Sequence, residues 1–205
     1  MNPLWQHPDN ATAALILAHG AGAGMIHRNM QSLAEAFARR QIASLRFNFP
    51  FIDAGRRRVD SKQVSTAAIA QAFKEAESRT SLPLWLGGHS FGGRMASHAV
   101  LERALTPRGL IFCSFPLHPP GKPGTARAAH LPAIDLPMLF LSGTRDTLAH
   151  CDLLESVASG LPMSELHWLD TADHGYKILK RSRNTQEDVF DEVARVTRGF
   201  IDRAQ

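Results

Sequence analysis

Several large classes of protein are excluded by what this 205-residue sequence lacks. It holds only two cysteines, Cys113 and Cys151, in no spacing motif, so neither a disulfide framework nor a cysteine zinc site is expected. Cys113 lies inside the apolar run GLIFCSF and reads as a buried core thiol. The longest apolar stretch, residues 13–18, falls far short of the ~20 residues that a membrane helix requires. The first residues, MNPLWQHPDN, carry no charged segment followed by an apolar one, so no secretory signal is read there and a reducing, cytoplasmic location is expected. Dense charge is scarce too. The net charge is +4 and the isoelectric point about 9.5, but acids and bases are interspersed. The only basic run is Arg56-Arg57-Arg58, too short for a nucleic-acid stripe. None of the ten histidines forms an H-x-H or H-E-x-x-H pair, and neither a Walker lysine pattern nor GxGxxG is present, so no metal and no cofactor is expected.

What remains is an ordinary globular composition, 44% hydrophobic and 20% charged, in a chain of single-domain length over 1–205. Six short apolar runs recur: AALILAH (13–19), IASLRFNF (42–49), LPLWLGG (82–88), GLIFCSF (109–115), PMLFLSG (137–143) and SELHWLD (164–170). Near-continuous apolarity suits strands covered on both faces, as in a parallel sheet. Amphipathic stretches at 27–40, 64–79, 90–105, 149–159 and 186–202 predict helices. The alternation predicts an α/β fold: a three-layer α/β/α sandwich with a mainly parallel sheet of about six strands and no large cap. Two long connections, 50–63 and the proline-rich 116–136, leave from carboxyl ends of strands. Open α/β sheets bind ligands at that edge, so these loops are expected to build the pocket.

The stretch LWLGGHSFGGRM places G-x-S-x-G, residues 88–92, between a strand and a helix-like segment. This is the context of a nucleophile elbow. A sharp turn there forces Ser90 into a strained conformation, and glycine at 88 and 92 removes side chains that would collide. The following helix aims its positive N-terminal end at the site, and the N–H of Phe91 is placed to donate to a developing oxyanion. A serine nucleophile needs a base and an orienting acid, expected after it in the order acid, then histidine. His174, in the turn-rich ADHGY, is the candidate base. Asp146, in SGTRD after the fifth run, is the candidate acid. Of Asp135, Asp152, Asp170 and Asp173, most read instead as turn or capping residues. A second oxyanion donor is expected from HGAGAG (19–24), with Ala21 preferred and Gly22 next.

Taken together, HGAGAG, RFNFP, GGHSFGGRMAS, FPLHPPGKP, LSGTRD and ADHGY resemble the small, cap-less α/β-hydrolases related to dienelactone hydrolase. That group has a branch containing a regulatory subunit of a histone acetyltransferase complex. The resemblance runs from about residue 13 to 202 and implies a Ser90–Asp146–His174 triad with an oxyanion hole at Ala21 and Phe91. Dienelactone hydrolases proper have cysteine where this chain has Ser90, so their lactone substrate does not carry over. Relatives in the regulatory-subunit branch act within assemblies, which keeps a non-catalytic scaffold as the alternative.

Further candidates for contact with substrate are Gly22, His27, Asn48 and His118. Arg28 adjoins His27, and Arg46 shares a strand end with Asn48. The expected partner is a small-molecule acyl substrate, hydrolysed as an ester or thioester, with no nucleic acid and no membrane.

Overall fold

The computed structural model of the chain describes residues 2–204. Seven strands form one sheet: β1 (Leu4–Gln6), β2 (Ala13–Ala18), β3 (Ile42–Phe47), β4 (Leu84–His89), β5 (Leu110–Cys113), β6 (Met138–Gly143) and β7 (Ser164–Leu169). Their spatial order is β1-β3-β2-β4-β5-β6-β7. All pairs are parallel except β1 with β3. The helices are α1 (Arg28–Arg39), α2 (Pro50–Asp53), α3 (Lys62–Arg79), α4 (Phe91–Arg103), α5 (Cys151–Ser159) and α6 (Val189–Arg203). Among the described residues, no helix is long and apolar enough to cross a membrane.

Alternation along the strands sorts the core into two layers. Ile16, Ala18, Leu110, Phe112, Met138 and Phe140 face one side with α3, α4 and α5. Leu15, Leu17, Ile111, Cys113, Leu139 and Leu141 face the other, against α1 and α6. Because side chains on a strand alternate, continuous apolar runs can supply both layers at once, which gives the sandwich expected from the sequence.

The strand count exceeds the expected six by β1. Its three residues sit between Pro3 and His7-Pro8, too short for alternation to register. The two long loops also depart from expectation. In 50–63, α2 forms a single turn, and Asp60 accepts from the N–H of Phe51 at 2.8 Å. In 116–136, two 3₁₀ turns put Ala128 and Leu131 into the core beside α4 and α5. Both loops spend their apolar residues on packing rather than on the cleft described below.

The joint between β4 and α4 sets the geometry of that cleft. Ser90 adopts φ 52° and ψ −118°, a conformation that suits glycine and strains an L-residue. Its N–H donates to the carbonyl of Cys113 at 2.9 Å, which ties the turn to β5. A Cβ on Gly88 or Gly92 would lie 2.2 or 2.3 Å from the Ala18 carbonyl oxygen, so only glycine allows β2 to approach so closely. Ser90→Gly and Ser90→Ala remove the same hydroxyl, but only glycine relieves the backbone. Ser90→Gly should therefore be the more stable of the two by about 1 kcal/mol. Equal urea midpoints for the two variants would show the turn to be unstrained.

Candidate active site

Ser90, His174 and Asp146 arrive from three separate strand ends and form one hydrogen-bonded chain. Ser90 Oγ lies 2.7 Å from His174 Nε2, and His174 Nδ1 lies 2.7 Å from Asp146 Oδ2. A carboxylate only accepts, so Nδ1 carries the imidazole proton and Nε2 presents its lone pair to the serine hydroxyl. The Asp146 side chain is fully buried, whereas the His174 ring is 22% exposed. The other carboxylate oxygen, Oδ1, accepts from the N–H of Leu148 at 2.8 Å. One oxygen is thus fixed by backbone and the other is left for the imidazole.

The loops carrying Asp146 and His174 are tied together by hydrogen bonds. The N–H of Arg145 donates to the carbonyl of Ala172 at 2.9 Å, and the N–H of Thr171 donates to Thr144 Oγ1 at 2.9 Å. A Cβ on Gly143 would lie 2.2 Å from the Ala172 carbonyl oxygen, so this approach needs glycine. Of the competing acids, Asp173, Asp170 and Asp152 have the turn or helix-start places expected of them. Asp173 Oδ1 accepts from the N–H groups of Gly175 and Lys177, both at 2.9 Å, and Asp170 Oδ2 accepts from that of Asn184 at 2.8 Å. Asp152 falls in the first turn of α5, and Asp135 is exposed.

A cleft of about 350 Å³ opens over Ser90 and His174, lined by the 20–23 loop, His27, Asn29, Met30, His89, Leu148 and Gly175. Ala21, Gly22 and His27 therefore fall on the cleft. His27 also caps α1, its Nδ1 accepting from the N–H of Asn29 at 3.3 Å. Phe91 is the first residue of α4, and its N–H has no acceptor within the helix. Among the described residues, the N–H of Ala21 meets no protein acceptor either.

Asn48 and His118 lie outside the cleft lining. Asn48 Oδ1 accepts from the N–H of Met25 at 2.9 Å, and Arg46 Nη1 donates to the carbonyl of the same residue at 3.1 Å. The two side chains thus pin the far end of the glycine-rich loop. His118 is buried behind Leu148, its own N–H donating to the Leu148 carbonyl at 3.2 Å and its Nδ1 lying 3.0 Å from the Pro119 carbonyl.

Two histidines that motif reasoning passed over also shape the site. Buried His19 accepts at Nε2 from the N–H of Phe49 at 3.0 Å, while Nδ1 lies 2.7 Å from the Gly20 carbonyl. Burial pushes its pKa below the ordinary histidine value, in keeping with a neutral strut between β3 and the glycine loop. His89 lies on the cleft floor and is pushed down to about 4 by burial and then by the neighbouring His174. The only signal for either was adjacency to a motif, His19 opening HGAGAG and His89 preceding Ser90.

A second serine–histidine contact clarifies the first. Ser97 Oγ lies 2.8 Å from His130 Nε2, and the His130 ring stacks on His98 at 3.7 Å. Ser97 is fully buried, and its hydroxyl donates to the Arg94 carbonyl at 2.8 Å. No carboxylate bonds the His130 ring among the described residues. This pair fastens the 116–136 loop to α4. Nor does any group of three or more His, Cys, Asp or Glu among the described residues stand ready to hold a metal ion.

Similar structures share the architecture. A dienelactone hydrolase from Anabaena variabilis is 18% identical, with 98% of this chain and 90% of that one aligned at a TM-score of 0.75. A serine hydrolase without lid from Xanthomonas campestris is 18% identical over 98% and 88% of the two chains, with a TM-score of 0.73. An alpha-beta serine hydrolase homologue from Coxiella burnetii is 18% identical over 98% and 89%, with a TM-score of 0.72. At this identity they speak for the fold alone. Residues 11–202 match the alpha/beta hydrolase domain, and the chain belongs to that family.

Proposed function

We propose that this chain is a serine hydrolase cleaving small carboxylic esters or thioesters through an acyl-enzyme. The observation that carries the reading is the unbroken chain from buried Asp146 through His174 to Ser90, with both imidazole nitrogens at 2.7 Å from their partners. In this mechanism Ser90 Oγ attacks the acyl carbonyl while His174 Nε2 takes its proton. The tetrahedral oxyanion is held by the N–H groups of Phe91 and Ala21, each donor supplying several kcal/mol at the transition state. His174 then gives the proton to the departing alcohol or thiol, and the carbonyl re-forms as the Ser90 ester. Water, deprotonated by His174, attacks this ester and releases the acid and free Ser90. Asp146 holds the imidazole in the required tautomer and stabilises the imidazolium.

The cleft supports a small substrate. At about 350 Å³ it stands near the lower end of ligand pockets, and the apolar Met30 and Leu148 are among its walls. Membership of the alpha/beta hydrolase family agrees with the reaction class. Cys113 and Cys151 are both free thiols, compatible with the reducing cytoplasm proposed as its location. Kinship with the branch containing the acetyltransferase-complex subunit rests on the motif set alone.

The decisive experiment is intact-mass labelling with a fluorophosphonate, run on wild type and Ser90→Ala. One adduct on wild type, lost in the variant, is expected. Folded wild type that takes no adduct would overturn the reading and favour a non-catalytic scaffold. Asp146→Asn should lower kcat on a reporter ester by about 10⁴-fold, as the equivalent change does in other triads. A near-silent Asp146→Asn would remove that carboxylate from the mechanism.

A further inference from the structure

We propose that His89 is a positioning residue that holds the His174 backbone so that its ring meets Ser90, acting as a strut between the β4–α4 turn and the His174 loop. The inference rests on the hydrolase reading only for its effect on rate; the positioning itself is a matter of geometry. His89 Nε2 lies 2.9 Å from the carbonyl oxygen of His174. A carbonyl only accepts, so His89 carries its proton on Nε2 and donates it. The remaining nitrogen, Nδ1, faces the glycine-rich loop: a Cβ on Gly20 would lie 3.1 Å from it. The His89 ring sits 5.4 Å from that of His174 and edge-on to Tyr176 at 5.9 Å. Tyr176 is buried, and its hydroxyl donates to the Leu141 carbonyl in β6 at 3.0 Å. The imidazole is therefore enclosed on three sides before it makes its bond.

The turn at 173–177 shows why that bond matters. Asp173 ties down the N–H groups on the C-terminal side of His174, at Gly175 and Lys177. The His174 carbonyl points the other way and is held by His89. Together the two contacts fix the peptide that follows the His174 Cα, and so the direction of its Cα–Cβ bond. Asp146 and Ser90 constrain only the ring. Without the strut, the ring would have to choose between its two partners as the turn relaxes. The residue between glycine and nucleophile in G-x-S-x-G thereby links the Ser90 turn to the base loop.

Two amide substitutions separate this role from mere packing. Glutamine is long enough to bring a side-chain N–H to the place of Nε2, whereas asparagine, one methylene shorter, falls short of the His174 carbonyl. Reporter-ester kinetics should show His89→Asn losing about a hundredfold in kcat with KM nearly unchanged, the scale associated with misplacement of a reacting group by about 1 Å. His89→Gln should recover most of that loss. Proton NMR gives a readout independent of turnover: the downfield Nδ1–H resonance of His174, hydrogen-bonded to Asp146, should persist in His89→Gln and broaden or shift in His89→Asn. Equal behaviour of the two variants, or a loss confined to KM, would overturn the positioning role. Wild type that neither labels nor turns over, with the resonance responding as described, would instead sink the hydrolase reading and leave the strut standing.

Discussion

The carbonyl of Ala18, at the end of β2, is the fixed point on which the site depends. The β4–α4 turn wraps around it so tightly that Gly88 and Gly92 both pass within reach of its oxygen, where no Cβ fits. That proximity forces the turn to be abrupt and leaves Ser90 at its apex with a strained backbone. It also sets the Ser90 side chain beside the loop that leaves β2, because the same strand end begins the glycine-rich segment. One steric constraint thus brings a hydroxyl, the opening N–H of a helix and a second loop to one side of the sheet. The cost of the strained apex is met by ordinary features elsewhere: parallel pairing on both sides of β4 and two apolar layers.

The Asp146 and His174 loops obey a second constraint of the same kind. Gly143 and Ala172 approach backbone to backbone, so the loops after β6 and β7 pack as one unit. Within it, Asp146 is buried and satisfied on one oxygen by the N–H of Leu148, and its other oxygen meets His174. The unit meets the elbow at two places, the His174–Ser90 contact and the His89–His174 contact. The first is where chemistry would occur, and the second is where the alignment is maintained.

Much of this was legible in the sequence because it depends on glycine and on order. GHSFGG can do little else between a strand and a helix, and SGTRD and ADHGY stand at successive strand ends. The layers followed from continuous apolar runs. What stayed hidden was set by tertiary contact. β1 is too short to show a period and exists because the edge of β3 was open to it. The loops 50–63 and 116–136 were read as pocket walls from length and proline content, but Phe51, Ala128 and Leu131 find better burial in the core. Asn48 points along the strand end to the Met25 backbone rather than into the cleft. Tyr176 adopts a left-handed backbone conformation, φ 66°, which no residue preference would predict for tyrosine. Its burial against His89 and β6 selects it.

The histidines show most clearly why residue type alone cannot assign a role. His19, His89 and His130 are all held below the ordinary histidine pKa, with burial the largest cause in each. A neutral imidazole with one N–H and one lone pair is a rigid linker between groups that cannot otherwise meet, and His19 serves that purpose between the Phe49 N–H and the Gly20 carbonyl. His130 even contacts a serine, but that hydroxyl is committed to a helix carbonyl, and among the described residues no carboxylate bonds the ring. His174 differs in two respects. Its Nδ1 meets a buried carboxylate. Its Nε2 meets a hydroxyl on the wall of an open cleft, so the proton has somewhere to come from and a substrate has room to arrive. The same side chain is a strut when both nitrogens face fixed neutral partners, and it has the surroundings of the base proposed for His174 when one faces a carboxylate and the other a hydroxyl on an open cleft.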